Sequence, residues 1–114
     1  MREKIAKTIE DAADLIEKGW VQGSGAVDDE GNGCHSLSDR AVAFCIIGAI
    51  NRVCQNDLQT SRRTKTLLEE NLTNGHDLVS FNDHGDTTKE MVLKFMRKVA
   101  KSVRKGDLSY RPHV

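Results

Sequence analysis

The longest apolar stretch of this chain runs from Ala41 to Ile50. Its ten positions carry only apolar side chains and one glycine, so a helix formed by them would have no polar face. The stretch is too short to span a membrane, which takes about 20 apolar residues. We therefore expect it to form a helix that the rest of the chain encloses. The pair Ser36 and Asp39 resembles a capping box, which places the start of this helix near Ser36 and its end near Gln55.

The segment before this stretch predicts a helix and then a glycine-rich loop. Apolar residues at helical spacing indicate an amphipathic helix over residues 3–18. They are Ile5, Ile9, Ala12 and Ile16. Gly19 is expected to end this helix in the left-handed conformation, and Trp20 to fold back as a plug at the edge of the core. Turn-forming residues then favour a short β-hairpin over 20–27 and 33–36.

Two more helices are predicted in the second half of the chain. The first covers residues 60–72, with Leu67, Leu68 and Leu72 facing inward, and Asn74-Gly75 forms a turn after it. The last helix begins at a capping box made by Thr87 and Glu90 and ends at Gly106. Its apolar stripe contains Val92, Phe95, Val99 and Val103, supported by Met91, Met96 and Ala100.

Composition agrees with a small helical protein. The chain has 114 residues, with one proline, few aromatic residues and 17 basic against 17 acidic residues. We expect one domain over 1–114: a compact, mainly α bundle of about four helices around a buried central helix, with one short β-hairpin. The first residues lack the apolar core of a secretory leader, so we expect a cytoplasmic protein that contacts no membrane. Cys34, Cys45 and Cys54 show no Cys-x-x-Cys spacing and are expected to be free thiols.

Three segments, in this order, resemble a family of small bacterial and phage proteins. They are AADLIEKGWVQG at 12–23, FCIIGAI at 44–50, and Phe81-Asn82-Asp83 followed by Thr87. That family is known only as a domain of unknown function. The resemblance covers most of residues 5–103 and implies a shared compact fold and a bacterial or phage setting. It implies no particular reaction.

The acidic segment from Asp28 to Asp39 imitates a calcium-binding loop. Asp28, Glu30 and Asn32 fall at loop positions one, three and five, Gly33 at six and Asp39 at twelve. The preceding segment is not helical, however, and position twelve holds Asp instead of the longer bidentate Glu. We therefore favour an acidic turn and expect no metal and no cofactor.

The densest cluster of polar residues with candidate chemistry lies at Asn82, Asp83 and His84. One interpretation is structural, because Asn and Asp hold tight turns and Asp86 or Thr87 would cap the last helix. The other is functional: the positive end of that helix, with Asn82 and His84, would bind an anion or a polar partner. In that case Trp20 and Gln22 would belong to the same site.

Cysteine and zinc chemistry have less support. A cysteine enzyme would pair Cys45 with His76 or His84, but Cys45 is predicted to lie inside an apolar helix, where burial raises a thiol pKa. A zinc site would need Cys34 and His35 together with both of those histidines, and their spacing shows no ligand pairs. We therefore expect no catalytic residues.

The last helix is locally basic. Residues 89–105 contain seven lysines and arginines against one glutamate. Such a face could bind nucleic-acid phosphates, with Lys94, Arg97, Lys98 and Lys101 as the contacts. The alternative is that cations near the end of a helix offset its dipole.

These patterns favour a small interaction or regulatory protein that binds a protein partner or a second copy of itself. Its polar loops at 20–33 and 79–87 would meet the partner. Two alternatives stay open. The first is a nucleic-acid-associated protein that uses the basic helix, and the second is a ligand-binding domain or enzyme centred on Asn82, Asp83 and His84.

Overall fold

Five helices and one two-stranded antiparallel sheet follow one another along residues 2–72 and 77–108, the part of the chain that the computed structural model describes. In chain order they are α1 (Arg2–Lys18), β1 (Ala26–Val27), β2 (Ala43–Phe44), α2 (Ile46–Cys54), α3 (Leu58–Glu70), α4 (Leu78–Asp83) and α5 (Lys89–Arg104). The mainly helical fold predicted from the sequence is confirmed. Helices α1, α3 and α5 lie within two residues of their predicted bounds, whereas α4 was not predicted.

Helices α1 and α5 form the most extensive contact between elements. The apolar stripe of α1 is fully buried, as its spacing predicted, and α1 makes its largest contacts with α5 and α2. On α5 the buried residues are Val92, Leu93, Met96, Val99, Ala100 and Val103. None of the described helices combines the length and apolar character that crossing a lipid bilayer requires.

The helix predicted from Ser36 to Gln55 is wrong in its first half. Residues 36–40 form turns, residues 41–42 are irregular, Ala43 and Phe44 form β2, and helix α2 begins only at Ile46. The supposed capping box fails because Ser36 lies outside any helix, where its carbonyl accepts a hydrogen bond from Arg52. Val42 is 49% exposed, so solvent reaches part of the apolar stretch. A short apolar run is compatible with a buried strand as well as a helix, and pairing with β1 decides between them here.

The predicted β-hairpin is also wrong in its pairing. Strand β1 pairs with β2, with Ala26 opposite Phe44 and Val27 opposite Ala43. The segment 33–36 contributes only an isolated bridge between Gly33 and Val27. Strand β1 therefore pairs both with a nearby segment, around Gly33, and with β2, which lies further along the chain.

Two glycines are needed where backbones approach closely. A Cβ on Gly48 of α2 would lie 1.9 Å from the carbonyl oxygen of Gly25, so α2 packs directly on the loop before β1. A Cβ on Gly19 would lie 2.3 Å from the carbonyl oxygen of Val42. Gly19 follows α1 as predicted, but the predicted left-handed conformation is wrong, since its φ is not in that region. Glycine is needed there because of the close contact with the segment before β2.

The ends of α5 are fixed by local hydrogen bonds. Thr88, and not Thr87, is the N-cap, and its hydroxyl accepts a hydrogen bond from the Met91 N–H at 3.2 Å. Thr87 is buried, so the predicted cap is displaced by one residue. At the other end Gly106 has a φ of 83°, and its N–H donates to Val103. This is the left-handed glycine stop that the sequence predicted.

Candidate functional site

The side chain of Asn82 connects three separate parts of the chain. Its Oδ1 accepts hydrogen bonds from Trp20 Nε1 at 2.9 Å and from the Ile46 N–H at 3.1 Å. Its Nδ2 donates to the Val21 carbonyl at 3.0 Å and to Asp83 Oδ1 at 2.9 Å. Asn82 is only 1% exposed, and these four bonds use its full donor and acceptor capacity. Among other roles, the amide satisfies an N–H at the start of α2 that has no partner inside that helix.

Gln22 and Asp83 complete this cluster. Gln22 Nε2 donates to the carbonyl of Asn82 at 3.0 Å and to that of His84 at 2.9 Å, which lie at the carboxyl end of α4. Asp83 Oδ1 accepts a hydrogen bond from the Gly23 N–H at 3.0 Å. The loop after α1 is therefore fixed to α4 by side-chain bonds in both directions.

The structure thus brings together all five residues predicted as one site: Trp20, Gln22, Asn82, Asp83 and His84. Most of their polar groups bond to one another, which is what the structural interpretation of this segment requires. His84 differs, since its Nδ1 accepts a hydrogen bond from the Asp86 N–H while the residue borders an open cavity. Ligand binding by these residues stays a prediction.

That cavity is a groove of about 780 Å³ between α5, α4 and the end of α3. We call it the α5 groove. Six of the residues that line it are apolar, and we call them its floor: Leu72, Phe81, Met91, Phe95, Val99 and Leu108. The rings of Phe81 and Phe95 meet edge to face, with centroids 5.4 Å apart. Met91 is 46% exposed although it stands on this apolar floor.

Charged residues also line the α5 groove. Lys94 and Lys98 lie within α5, whereas Asp86 precedes this helix and Asp107 follows it, so the two carboxylates lie towards opposite ends of α5. Both lysines are exposed. Within residues 2–72 and 77–108, neither lysine side chain has a hydrogen bond or an ion pair.

The predicted nucleic-acid residues do not form one free basic face. Arg97 Nη2 lies 2.6 Å from Glu17 and 3.3 Å from Asp14, both on α1. These hydrogen bonds and charges raise the pKa of Arg97 and lower that of Glu17. Lys94 and Lys98 enter the α5 groove instead, and Lys101 lies outside its lining.

Arg104, at the end of α5, is also engaged by α1. It binds Glu10 through two nitrogens, each at 2.7 Å, and Glu3 at 2.6 Å. The hydrogen bond from Arg104 holds the pKa of Glu10 below its usual value. The acidic face of α1 thus neutralises both arginines of α5.

The calcium-like segment forms a tight turn. Asp28 Oδ1 accepts hydrogen bonds from the N–H groups of Glu30 and Asn32, at 3.0 and 2.9 Å. Gly31 adopts a φ of 84° within this turn. Across the described ranges, no group of three or more His, Cys, Asp or Glu side chains could hold a metal ion, and Asp39 joins no such group.

Cys45 is the N-cap of α2 and not an interior helix residue. Its Sγ accepts a hydrogen bond from the Gly48 N–H at 3.3 Å. Burial raises its pKa, which disfavours the thiolate that a nucleophile needs. His76, the suggested partner of Cys45 and of Cys34 with His35, lies outside the described residues, as does the Asn74-Gly75 turn.

A family model described as a family of unknown function, DUF6197, matches residues 1–102. The chain belongs to DUF6197. The resemblance to a family of unknown function is therefore confirmed. No curated protein and no solved structure matches the chain. The DUF6197 match contains the whole cluster around Asn82, formed with Trp20, Gln22 and Asp83, which we call the Asn82 cluster. It also contains the α5 groove as far as Ser102, while Asp107 and Leu108 lie beyond it.

Sequence reasoning missed the α5 groove of this DUF6197 protein. Met91 and Phe95 were assigned to the buried stripe of α5, but they stand on a second face that α1 does not cover. The available signal was the width of the apolar surface on α5, which exceeds what one partner helix covers. Lys94 and Lys98 fall within that second face at helical spacing.

Proposed function

We propose that this DUF6197 protein is a small soluble interaction or regulatory protein that binds a protein partner in the α5 groove. The observation that supports this most is the apolar floor around Met91, which is left open to solvent on a helix whose opposite face is fully packed. Exposed apolar surface rimmed by polar residues is typical of protein-interaction sites.

The apolar floor of the groove is preorganised for binding a partner. Phe81 and Phe95 support each other through their edge-to-face packing, so neither ring must be ordered when a partner binds. Preorganised aromatic residues reduce the entropic cost of association. The Asn82 cluster stabilises this arrangement, because the hydrogen bonds from Gln22 hold the carboxyl end of α4 beside the groove.

Nucleic-acid binding has less support. Arg97 and Arg104 are occupied by carboxylates of α1. Lys94 and Lys98, which have no hydrogen-bond or ion-pair partner among the described residues, flank an apolar floor that phosphates would not contact. A small-ligand site at the Asn82 cluster also has less support, because the polar atoms there already bond to one another. We place the protein in the cytoplasm of a bacterial or phage-infected cell, on the basis of the family resemblance and its free cysteines.

Partner capture with matched variants tests this proposal. Tagged wild-type protein would be cross-linked in its host cells and compared with Met91→Glu, inside the groove, and Val79→Glu, on α4 outside it. Met91 and Val79 are 46% and 55% exposed, so both substitutions should leave the fold intact. We expect one partner to be retained by wild type and Val79→Glu and lost from Met91→Glu. An inert monomer, or equal capture by both variants, would overturn the proposal.

A further inference from the structure

The α5 groove has the form of a continuous strip along one helix. Met91, Lys94, Phe95, Lys98 and Val99 follow one another at helical spacing, with steps of three, one, three and one. From Met91 to Ser102 the strip extends over roughly 17 Å of helix axis, at about 1.5 Å per residue. This length matches about three turns of a second helix lying in the groove.

The charges along this strip determine which charges a binding partner should carry. The two arginines of α5 are neutralised by α1, which leaves Lys94 and Lys98 as the lysines and arginines beside the apolar floor within the described part of the chain. Asp86 and Asp107 give the ends of the groove the opposite sign. A complementary partner therefore carries carboxylates near the middle of its contact face and none at the ends.

A second copy of this chain fits the strip less well. In a two-fold pairing of antiparallel α5 helices centred on the strip, Lys94 of each copy would face Lys98 of the other. Like charges placed opposite each other in an interface disfavour association. A basic or neutral apolar segment would leave both lysines without a counter-charge.

Resting on the proposed function, we infer that the partner presents an amphipathic helix to the α5 groove. Its apolar side chains contact Phe81, Phe95 and Met91, and acidic side chains about one turn apart pair with Lys94 and Lys98. This is the helix-in-groove mode of recognition, with apolar anchors for affinity and a central acidic pair for specificity.

Two synthetic peptides of about 15 residues test the inference, a length that covers the strip. Both carry leucines on one helical face. One has two central glutamates beside that face, and the other has lysines at the same positions. Binding of each peptide to the full-length protein would be measured by isothermal titration calorimetry. We expect the glutamate peptide to bind about tenfold tighter, as two partly exposed ion pairs can provide.

Charge reversal supplies the matched control. The double variant Lys94→Glu, Lys98→Glu should invert the preference between the peptides, whereas Lys101→Glu, on the same helix outside the groove, should change it less than about threefold. Equal binding of both peptides, no binding of either, or an unchanged preference in the double variant would overturn the inference. A partner found by capture and lost from Met91→Glu would still support the proposed function. Binding of the glutamate peptide to Met91→Glu with the same affinity as to wild type would overturn both.

Discussion

The indole Nε1 of Trp20 donates a 2.9 Å hydrogen bond to Oδ1 of Asn82, which lies 62 residues further along the chain. The same oxygen accepts from the Ile46 N–H. We expect Asn82→Ala to reduce the free energy of unfolding by about 3 kcal/mol, because each donor left unpaired away from water costs about 1–3 kcal/mol. Chemical unfolding followed by circular dichroism measures this loss.

Ser80→Ala is the control for this prediction, since Ser80 lies on the same helix with an exposed side chain. Its effect should stay within about 0.5 kcal/mol. An Asn82→Ala protein as stable as Ser80→Ala would show that the cluster contributes little to the fold.

Gly48 and Gly85 give opposite expectations for one substitution. In Gly48→Ala the new methyl group would meet the Gly25 backbone at 1.9 Å, and we expect a loss of about 2 kcal/mol despite the better helix propensity of alanine. Among the described residues, apart from its two chain neighbours, Gly85 has no atom within 4 Å of an added Cβ, so Gly85→Ala should be neutral or stabilise by up to about 1 kcal/mol. Thermal unfolding of both variants would decide this, and a Gly48→Ala protein of wild-type stability would contradict the close packing of α2 on the loop before β1.

Asp57 should make the fold sensitive to acid. A hydrogen bond from Lys4 and two from Thr60 lower the pKa of Asp57 from 3.8 to about 2. The unfolded chain therefore takes up a proton at higher pH than the folded one. The stabilisation from Asp57 is complete above pH 3.8 and is lost as the pH falls towards about 2.

Asp57→Asn should weaken the dependence of the free energy of unfolding on pH in this acidic range, because asparagine can still cap α3 but cannot titrate. Unfolding measured at a series of pH values tests this. Some acid sensitivity will remain, since the pKa values of Glu10 and Glu17 are also lowered. An Asp57→Asn profile parallel to the wild-type profile would rule out this role.

The thiol of Cys45 should react slowly in the folded protein. Burial raises the pKa of this thiol by more than the hydrogen bond from the Gly48 N–H to its Sγ lowers it. We expect alkylation of Cys45 by iodoacetamide, followed by peptide mass spectrometry, to be slower in native protein than in denatured protein at the same pH. Equal rates in the two states would indicate an accessible thiolate.

Helices with one clear apolar stripe could be predicted from the sequence, because the stripe itself specifies the buried face. Helix α1 is the best example, since its predicted stripe is buried, although its main contact with α5 was not predicted. The stretch from Ala41 to Ile50 carries no such information, since every position is apolar. Its division into a strand and a helix depends on pairing with β1, and the local pattern of apolar residues does not predict that pairing.

The Asn82 cluster was predicted as a set of residues but not in its bonding. Residue types indicated a polar turn before the last helix, and the structure adds the short helix α4 and the four bonds of one amide. The width of the apolar surface on α5 indicated a second contact face, but which part of that surface stays open depends on how the rest of the chain covers α5. Of its charged residues, Lys94 and Lys98 were singled out as nucleic-acid contacts and Asp86 as a helix cap, but none of them as part of a groove.

The pairing of α1 with α5 has a consequence for synthesis of the protein. These helices are the first and last of the described chain, so a nascent polypeptide leaving the ribosome presents the stripe of α1 before its main partner exists. At about 5–20 residues per second, that interval lasts several seconds. Chaperones that recognise apolar segments have their opportunity during this time, and the native state can form only after translation of α5.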